Sequence, residues 1–194
     1  MKKFLEFLPN AVIISTIAAI LQCGDQLIGQ AGGIGPIIFG GGWIAFQAWA
    51  VYFLAGSTLK GGIRALIGYS IGIIASICIF EVAGLLGGLG FFAVPLTLLI
   101  LVIPIIYLLK APELFSLVPA VFVGAGVFFG VMSYFPSVEG AFPAGAGSWA
   151  MYGLAALGIL TYCCFGLIAG WLTITLQGMV PANKRAAAEA AAAE

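Results

Sequence analysis

The sequence predicts an all-α polytopic membrane protein with six transmembrane helices. Of its 194 residues, 63% are hydrophobic and only 7% are charged, and the mean hydropathy is +1.20. A soluble domain carries about 25% charged residues, so this chain could not cover a globular surface with polar groups. Its apolar residues fall into six runs, and a helix needs about 20 apolar residues to cross the hydrocarbon core of a bilayer.

The basic residues predict how the six spans are oriented. They all fall before the first span or after every second one, at Lys2, Lys3, Lys60, Arg64, Lys110, Lys184 and Arg185. The other connections carry acidic residues or no charge. Positive charge is retained on the cytoplasmic side during insertion. We therefore expect both termini and residues 60–64 and 110–113 in the cytoplasm, with residues 29–40 and 136–147 outside.

The spans of the first half follow from the apolar runs between glycine-rich breaks. The first runs from Phe4 or Leu8 to Leu27, the second covers about residues 43–58, and the third covers about residues 63–80. A glycine-rich link at residues 29–42 separates the first two. Residues 81–90 contain four glycines and predict a tight outer turn or a loosened helix end.

The second half also contains three apolar runs. Its spans cover about residues 91–109, 114–135 and 148–176, so that residues 1–180 form one six-span domain. Residues 181–194 form an Ala- and Glu-rich cytoplasmic tail. The segment AVYFLAGS at residues 50–57 is echoed by GVFFGVMS at residues 126–133. The echo suggests an inverted repeat of three spans each, as in many transporters; the alternative is chance recurrence of aromatic and small residues.

Catalysis and metal binding are not expected. The chain has no His, which removes the commonest general base and metal ligand. Its four cysteines lie inside apolar runs without CxxC spacing, so we interpret them as small core residues. No cofactor is implied, and the balanced formal charge gives no reason to expect a nucleic-acid partner.

The strongest site signal lies at the outer end of the first span. Gln22, Asp25 and Gln26 share a helix face because they are three and four residues apart. A carboxylate near lipid is costly and normally faces a cavity or a partner. One interpretation is a polar vestibule for a solute. The simpler alternative is an interfacial residue that caps the glycine-rich link.

Further candidates lie along the other spans. Gln47 and the deeper Trp49 are candidates for the solute path in the second span, and Glu81 lies at the outer end of the third. Gly124, Gly126 and Gly130 predict a close helix–helix contact within or between subunits, since small residues let membrane helices approach.

Two segments read GWIAFQAWAVYFLAGSTLKGG at residues 42–62 and LFSLVPAVFVGAGVFFG at residues 114–130, and with the linking spans they cover about two thirds of the chain. They resemble a bacterial inner-membrane family of unknown function that includes YcdZ-type proteins. The resemblance implies a multi-pass protein of the bacterial inner membrane. It brings no substrate and no catalytic residues.

We expect a passive channel or facilitator for a small, mostly uncharged solute, because the spans lack the charge at depth that coupled transport usually needs. The alternative is a structural or accessory subunit that packs against a larger membrane complex. Either protein would contact the lipid bilayer and belong to a homo-oligomer or a larger assembly.

Overall fold

The described part of the chain folds into α-helices joined by short connections. The structure is a computed structural model that describes residues 2–181 and residue 183, with side chains from residue 7 onward. Within that part the long elements are α1 (Lys2–Gln30), α2 (Gly42–Leu54), α3 (Leu59–Leu85), α4 (Ala93–Tyr107), α5 (Val118–Tyr134) and α6 (Ser148–Met179). Short 3-10 helices cover Gly87–Phe92, Leu108–Lys110 and Phe135–Ser137. The all-α fold is confirmed.

The helices have the length and apolarity of a multi-pass membrane protein. Five helical segments of the described residues could each cross a bilayer, and α2 is the shorter apolar one. Its 13 residues span only about 20 Å at about 1.5 Å per residue. It ends at Leu54, four residues before the predicted boundary, because the chain then turns through Gly56 and Ser57 with positive φ angles. The Thr58 hydroxyl then accepts the Gly61 N–H and caps α3.

The turn predicted after the third span begins later than expected. α3 continues through Glu81 and Gly84 to Leu85, and the 3-10 helix follows it. Only Gly90 in this segment has a positive φ, of 55°. Glu81 is therefore a helical residue and half-buried, and of the two alternatives for residues 81–90 the loosened helix end agrees with the structure and the tight turn does not. Gly84 is accommodated inside the helix although no other part of the described chain packs against it.

Two pairs of helices pack in parallel through glycines. On α6, Gly166 lies against the Ala45 carbonyl of α2, and Gly170 lies against the Tyr52 ring further along α2. On α3, Gly72 lies against the Val121 carbonyl of α5 in the same manner. Since a methyl group at any of these glycines would meet atoms of the neighbouring helix, the helices approach as closely as their backbones allow.

The three glycines predicted to form a contact do not behave alike. Gly124 meets the backbone of Tyr69, whose Cα would lie 2.6 Å from an added methyl group. On Gly126 and Gly130 an added methyl group would meet no heavy atom of the described residues within 4 Å, apart from their own helix backbone and chain neighbours. Within one subunit the contact is thus made by Gly124 alone, and for the other two the prediction concerns a contact between subunits.

Charged side chains join two connections at one end of the molecule. Glu113, before α5, accepts hydrogen bonds from Lys60 at 2.5 Å and from Arg64 at 3.2 Å, both in the first turns of α3. The hydrogen bond to Lys60, and then its charge, lower the pKa of Glu113. At the ends of α1 and α6, Asn10 and Asn183 exchange hydrogen bonds of 3.2 and 2.8 Å. The connections predicted to be cytoplasmic therefore lie together.

This arrangement gives a labelling prediction. In a variant with its four cysteines replaced by alanine, Ser137→Cys should react with an impermeant maleimide added to intact cells, because Ser137 is exposed beyond α5. Lys110 is exposed after α4, at the opposite end of the molecule from Ser137, so Lys110→Cys should react only in inside-out vesicles. The reverse result would show that the predicted orientation is wrong.

Candidate functional site

A buried carboxylate lies between α1 and the start of α2. Asp25 is only 9% exposed. Its Oδ1 accepts the backbone N–H of Gly41 at 2.7 Å, and its Oδ2 accepts the Gln22 amide at 3.2 Å. Gly41 directly precedes α2, and a helix N-terminus stabilises negative charge. The partial positive charge of α2 thus compensates a carboxylate that has no basic residue near it in sequence.

Glycines make room for this carboxylate. A methyl group on Gly40 or Gly42 would lie 2.8 Å from an Asp25 oxygen. Gly40 also has a φ of +97°, a conformation that residues with a side chain rarely adopt. The glycine-rich link therefore folds around Asp25, which ties α1 to α2 from the side.

Tyr162 of α6 completes the cluster. Its ring lies directly against Gly41, and its side chain is 1% exposed. Its hydroxyl is buried and lies near the Asp25 carboxylate without a hydrogen bond of good geometry in the described residues, and Nε1 of Trp49 is likewise buried and unbonded. A buried polar group without a partner costs about 1–3 kcal/mol, so each of these atoms could bind a small polar molecule.

Asp25 and Tyr162 line a groove between α1 and α6. The groove has a volume of about 270 Å³ and is otherwise walled by apolar side chains, among them Leu21, Phe165 and Leu172. An apolar groove with a few converging polar groups is the usual form of a small-molecule site. We call these residues, with Gln22 and Gly41, the α1–α6 site.

The other predicted site residues do not join this cluster. Gln26 is exposed. Gln47 lines a different groove, between α2 and α5. Trp49 is 5% exposed and packs with Ile17 and Ala169, which line the α1–α6 groove. Glu81 lies in α3, near Tyr152. These residues therefore do not line one path through a single chain.

The core offers few free polar groups to a solute. The buried hydroxyls of Ser76, Thr97 and Thr173 each donate to the carbonyl four residues earlier in the same helix. No group of three or more His, Cys, Asp or Glu side chains in the described residues could hold a metal ion. Among the aromatic side chains of the described residues, three buried polar atoms make no hydrogen bond. They are Nε1 of Trp49 and the hydroxyls of Tyr69 and Tyr162.

The comparison with protein families identifies the chain. Residues 29–159 match a family described as "Protein of unknown function (DUF1097)". The chain belongs to the DUF1097 family. The match begins in the glycine-rich link and ends within α6, so it includes Gly41 but neither Asp25 nor Tyr162. No curated protein and no solved structure matches the chain.

Membership in DUF1097 agrees with the resemblance to a family of unknown function. The relation to YcdZ-type proteins stays a prediction. A family without an assigned activity supplies no substrate, and the argument for function depends on the arrangement of the helices and on the α1–α6 site.

Proposed function

We propose that this DUF1097 protein is a passive channel or facilitator for a small, mostly uncharged solute. We place it in the bacterial inner membrane as a homo-oligomer, with both termini in the cytoplasm. The observation that carries the proposal is that helices of the two halves bury the same positions and run in opposite directions, which is the pattern of an inverted repeat.

The first part of this pattern relates α2 to α5. Residues in these helices correspond when they are 76 positions apart, as Ala45 and Val121 are. Of the seven buried residues of α2, all except Trp49 have a buried counterpart in α5 at this spacing. The buried pairs are Gly42 and Val118, Ile44 and Ala120, Ala45 and Val121, Ala48 and Gly124, Val51 and Val127, and Tyr52 and Phe128.

The second part relates α3 to α6. Residues in these helices correspond when they are 94 positions apart, as Gly72 and Gly166 are. Eight of the ten buried residues of α3 have a buried counterpart in α6 at this spacing. Helical periodicity alone could produce such agreement, so the contacts between helices are needed to distinguish a repeat from periodicity. Gly72 meets the carbonyl of Val121, and Gly166 meets that of Ala45, which is the counterpart of Val121.

A contact at the helix ends gives a further test of the same two spacings. Arg64 of α3 bonds Glu113, which precedes α5. Their counterparts are Gly158 of α6 and Ile37, which precedes α2, and an added methyl group on Gly158 would lie 3.0 Å from the Ile37 side chain. This contact supports a repeat in geometry without a repeat in chemistry, since a charged pair in one half corresponds to an apolar contact in the other.

The corresponding helices run in opposite directions. α2 ends, and α5 begins, at the end of the molecule where Lys60 and Arg64 meet Glu113. Two halves of opposite orientation are common among transporters, whose solute sites lie at the interface of the repeats. The buried interior offers no carboxylate other than Asp25 in the described residues, and this supports passive passage over ion-coupled transport.

The α1–α6 site is where we expect a neutral solute to bind first. It combines a carboxylate, an amide and a tyrosine hydroxyl with apolar walls, so a neutral solute can both donate and accept hydrogen bonds there. The counterparts of Asp25 and Tyr162 at the two spacings are Leu101 and Gly68. Neither counterpart is polar, so the polar cluster has no equivalent at the corresponding positions of the proposed repeat.

A structural or accessory subunit remains the second candidate, and the packing of the core favours it. The closest helix pairs meet through glycines, and the buried hydroxyls bond their own helices. A protein of this kind would bind a larger complex through its lipid-facing surface and conduct nothing.

A flux assay separates the two candidates. Purified protein in liposomes should accelerate the swelling caused by small neutral solutes such as urea, formamide or glycerol. Tyr162→Phe should lower the rate several-fold for at least one permeant solute, because it removes the free hydroxyl and keeps the ring against Gly41. Gln26→Ala is the control, since this amide is exposed on α1, outside the α1–α6 site, and should leave the rate unchanged.

Two outcomes would contradict the proposal, the first its channel function and the second its assigned site. The first is a swelling rate equal to that of empty liposomes for every solute, with folded protein verified by circular dichroism. The second is flux that Tyr162→Phe and Gln26→Ala leave equally unaffected, which would remove the α1–α6 site from the path.

A further inference from the structure

We infer that the α1–α6 site binds a weakly hydrated organic cation, such as a quaternary ammonium ion. The groove of about 270 Å³ brings the Asp25 carboxylate together with the aromatic side chains of Tyr162 and Phe165 and with aliphatic walls. An ion of this class is held by negative charge, aromatic rings and apolar contact, and it needs few hydrogen bonds. The inference goes beyond the passage of a neutral solute, since it concerns binding alone and holds whether or not the protein conducts.

Asp25 keeps negative charge that its own surroundings neutralise only in part. The start of α2 offers about half of one positive charge, which the Gly41 N–H directs at the carboxylate, and the Gln22 amide is neutral. The ion pairs of the described side chains lie beyond the other end of α2, where a lysine and an arginine of α3 bind Glu113. Because Asp25 is buried, salt and water screen its remaining charge only weakly, and a cation in the groove is attracted to it.

The walls of the groove determine which kind of cation fits. Both oxygens of Asp25 already accept a hydrogen bond, and most of the lining side chains are apolar. A metal ion such as Ca²⁺ or Mg²⁺ takes about six or more oxygen ligands, which this groove does not supply. A quaternary ammonium ion needs no such ligands, and its methyl groups can pack against Ile17, Leu21 and Leu172.

Two aromatic side chains line the same groove as the carboxylate. Tyr162 and Phe165 are neighbours on α6, with ring centroids 5.8 Å apart and ring planes at 85°. Aromatic rings attract cations through their quadrupole, and quaternary ammonium groups are the ligands that aromatic walls recognise. The attraction comes from the ring and not from the hydroxyl of Tyr162. Tyr162→Phe should therefore keep cation binding even where it lowers the flux of a neutral solute.

A cation that binds here should not pass through the protein. Among the described residues, Asp25 is the one buried carboxylate, and the buried hydroxyls of Ser76, Thr97 and Thr173 bond their own helices. An ion that moved on would exchange its counter-charge for apolar surroundings, which is costly. We therefore expect a bound cation to occupy the site and to slow any neutral solute.

Choline and neohexyl alcohol test the inference on the wild-type protein. The two molecules have nearly the same shape, because a carbon atom of the alcohol replaces the charged nitrogen of choline. Calorimetric titration in dodecyl maltoside, with sodium chloride balancing the ionic strength, should show choline binding about tenfold or more tighter than the alcohol. This comparison does not depend on the folding of any variant.

Variants then assign the binding to the groove. Asp25→Asn should weaken choline binding about tenfold or more, because the amide keeps the shape of the carboxylate and loses its charge. Glu81→Gln is the matched control, since it removes the same charge from a half-buried side chain of α3 outside the groove and should leave the affinity unchanged. Phe165→Leu should weaken binding several-fold, because it keeps an apolar wall and removes the ring.

The inference would be overturned if choline bound no more tightly than neohexyl alcohol, or if neither bound at millimolar concentrations. It would also be overturned if Asp25→Asn and Glu81→Gln changed choline binding equally, since the groove would then play no part.

The flux assay stays separate from this test. In liposomes that conduct, choline should slow the swelling caused by urea, and neohexyl alcohol should not. Liposomes that conduct nothing would refute the channel proposal, and the titration would still decide whether the α1–α6 site binds a cation.

Discussion

Replacing Gly166 by alanine is expected to destabilise the folded protein by about 3 kcal/mol or more. The added methyl group would overlap the Ala45 carbonyl and lie 2.8 Å from the methyl group of Ala48. These are main-chain and short side-chain atoms of α2, so no rotamer change can relieve the overlap. The two parallel helices must separate, and the contacts along their length weaken. Unfolding in mixed micelles with increasing dodecyl sulfate measures the loss.

The control for Gly166 lies on the same helix. Gly153→Ala places its methyl group in open space and should leave stability unchanged or raise it by up to about 1 kcal/mol, since glycine is a poorer helix residue than alanine. If the two variants unfold at the same dodecyl sulfate fraction, α2 and α6 do not pack as described.

Gly72→Ala should cause a loss similar to that of Gly166→Ala. Gly72 is the counterpart of Gly166 and meets the Val121 carbonyl and the Gly124 backbone of α5. An equal sensitivity of the two positions is what an inverted repeat requires. A tolerant Gly72 beside an intolerant Gly166 would count against the repeat, although it would leave the all-α fold untouched.

The membrane architecture could be predicted because its causes are local in sequence. An apolar run of sufficient length becomes a span whatever it packs against, and the placement of Lys and Arg orders the ends. Glu81 shows where this fails. The glycines after it predict a turn, but α3 continues to Leu85, because helix ends in a membrane protein depend on neighbouring helices that the sequence does not reveal.

The candidate site could be predicted only in part. Asp25 stands out as an acidic residue in an apolar run, and its bond to Gly41 matches the interpretation of a residue that caps the glycine-rich link. Gln26 was grouped with it from spacing, but consecutive residues lie about 100° apart around a helix, and this turns Gln26 outward. Tyr162 could not be found, because it is far away in sequence and nothing around it marks its hydroxyl as unbonded.

Asp25→Ala is expected to lower the stability of the folded protein by about 1–3 kcal/mol. The alanine leaves the buried Gly41 N–H without its acceptor and opens the space that Gly40 and Gly42 keep for the carboxylate. Asp25→Asn should retain most of the stability, since its amide oxygen can accept the same N–H and its shape is unchanged. Both are measured by the micelle titration used for Gly166.

The pair of variants separates a structural role of Asp25 from a role in solute passage. If Asp25 serves only to tie α1 to α2, Asp25→Asn should conduct as wild type does, and Asp25→Ala should lose flux only in proportion to lost folded protein. If the carboxylate binds the solute, Asp25→Asn should lose flux several-fold at nearly unchanged stability, because the amide presents a donor where the carboxylate only accepts. An Asp25→Ala protein as stable as wild type would show that the bond to Gly41 does not hold the link. The α1–α6 site would then have lost the contact that builds it.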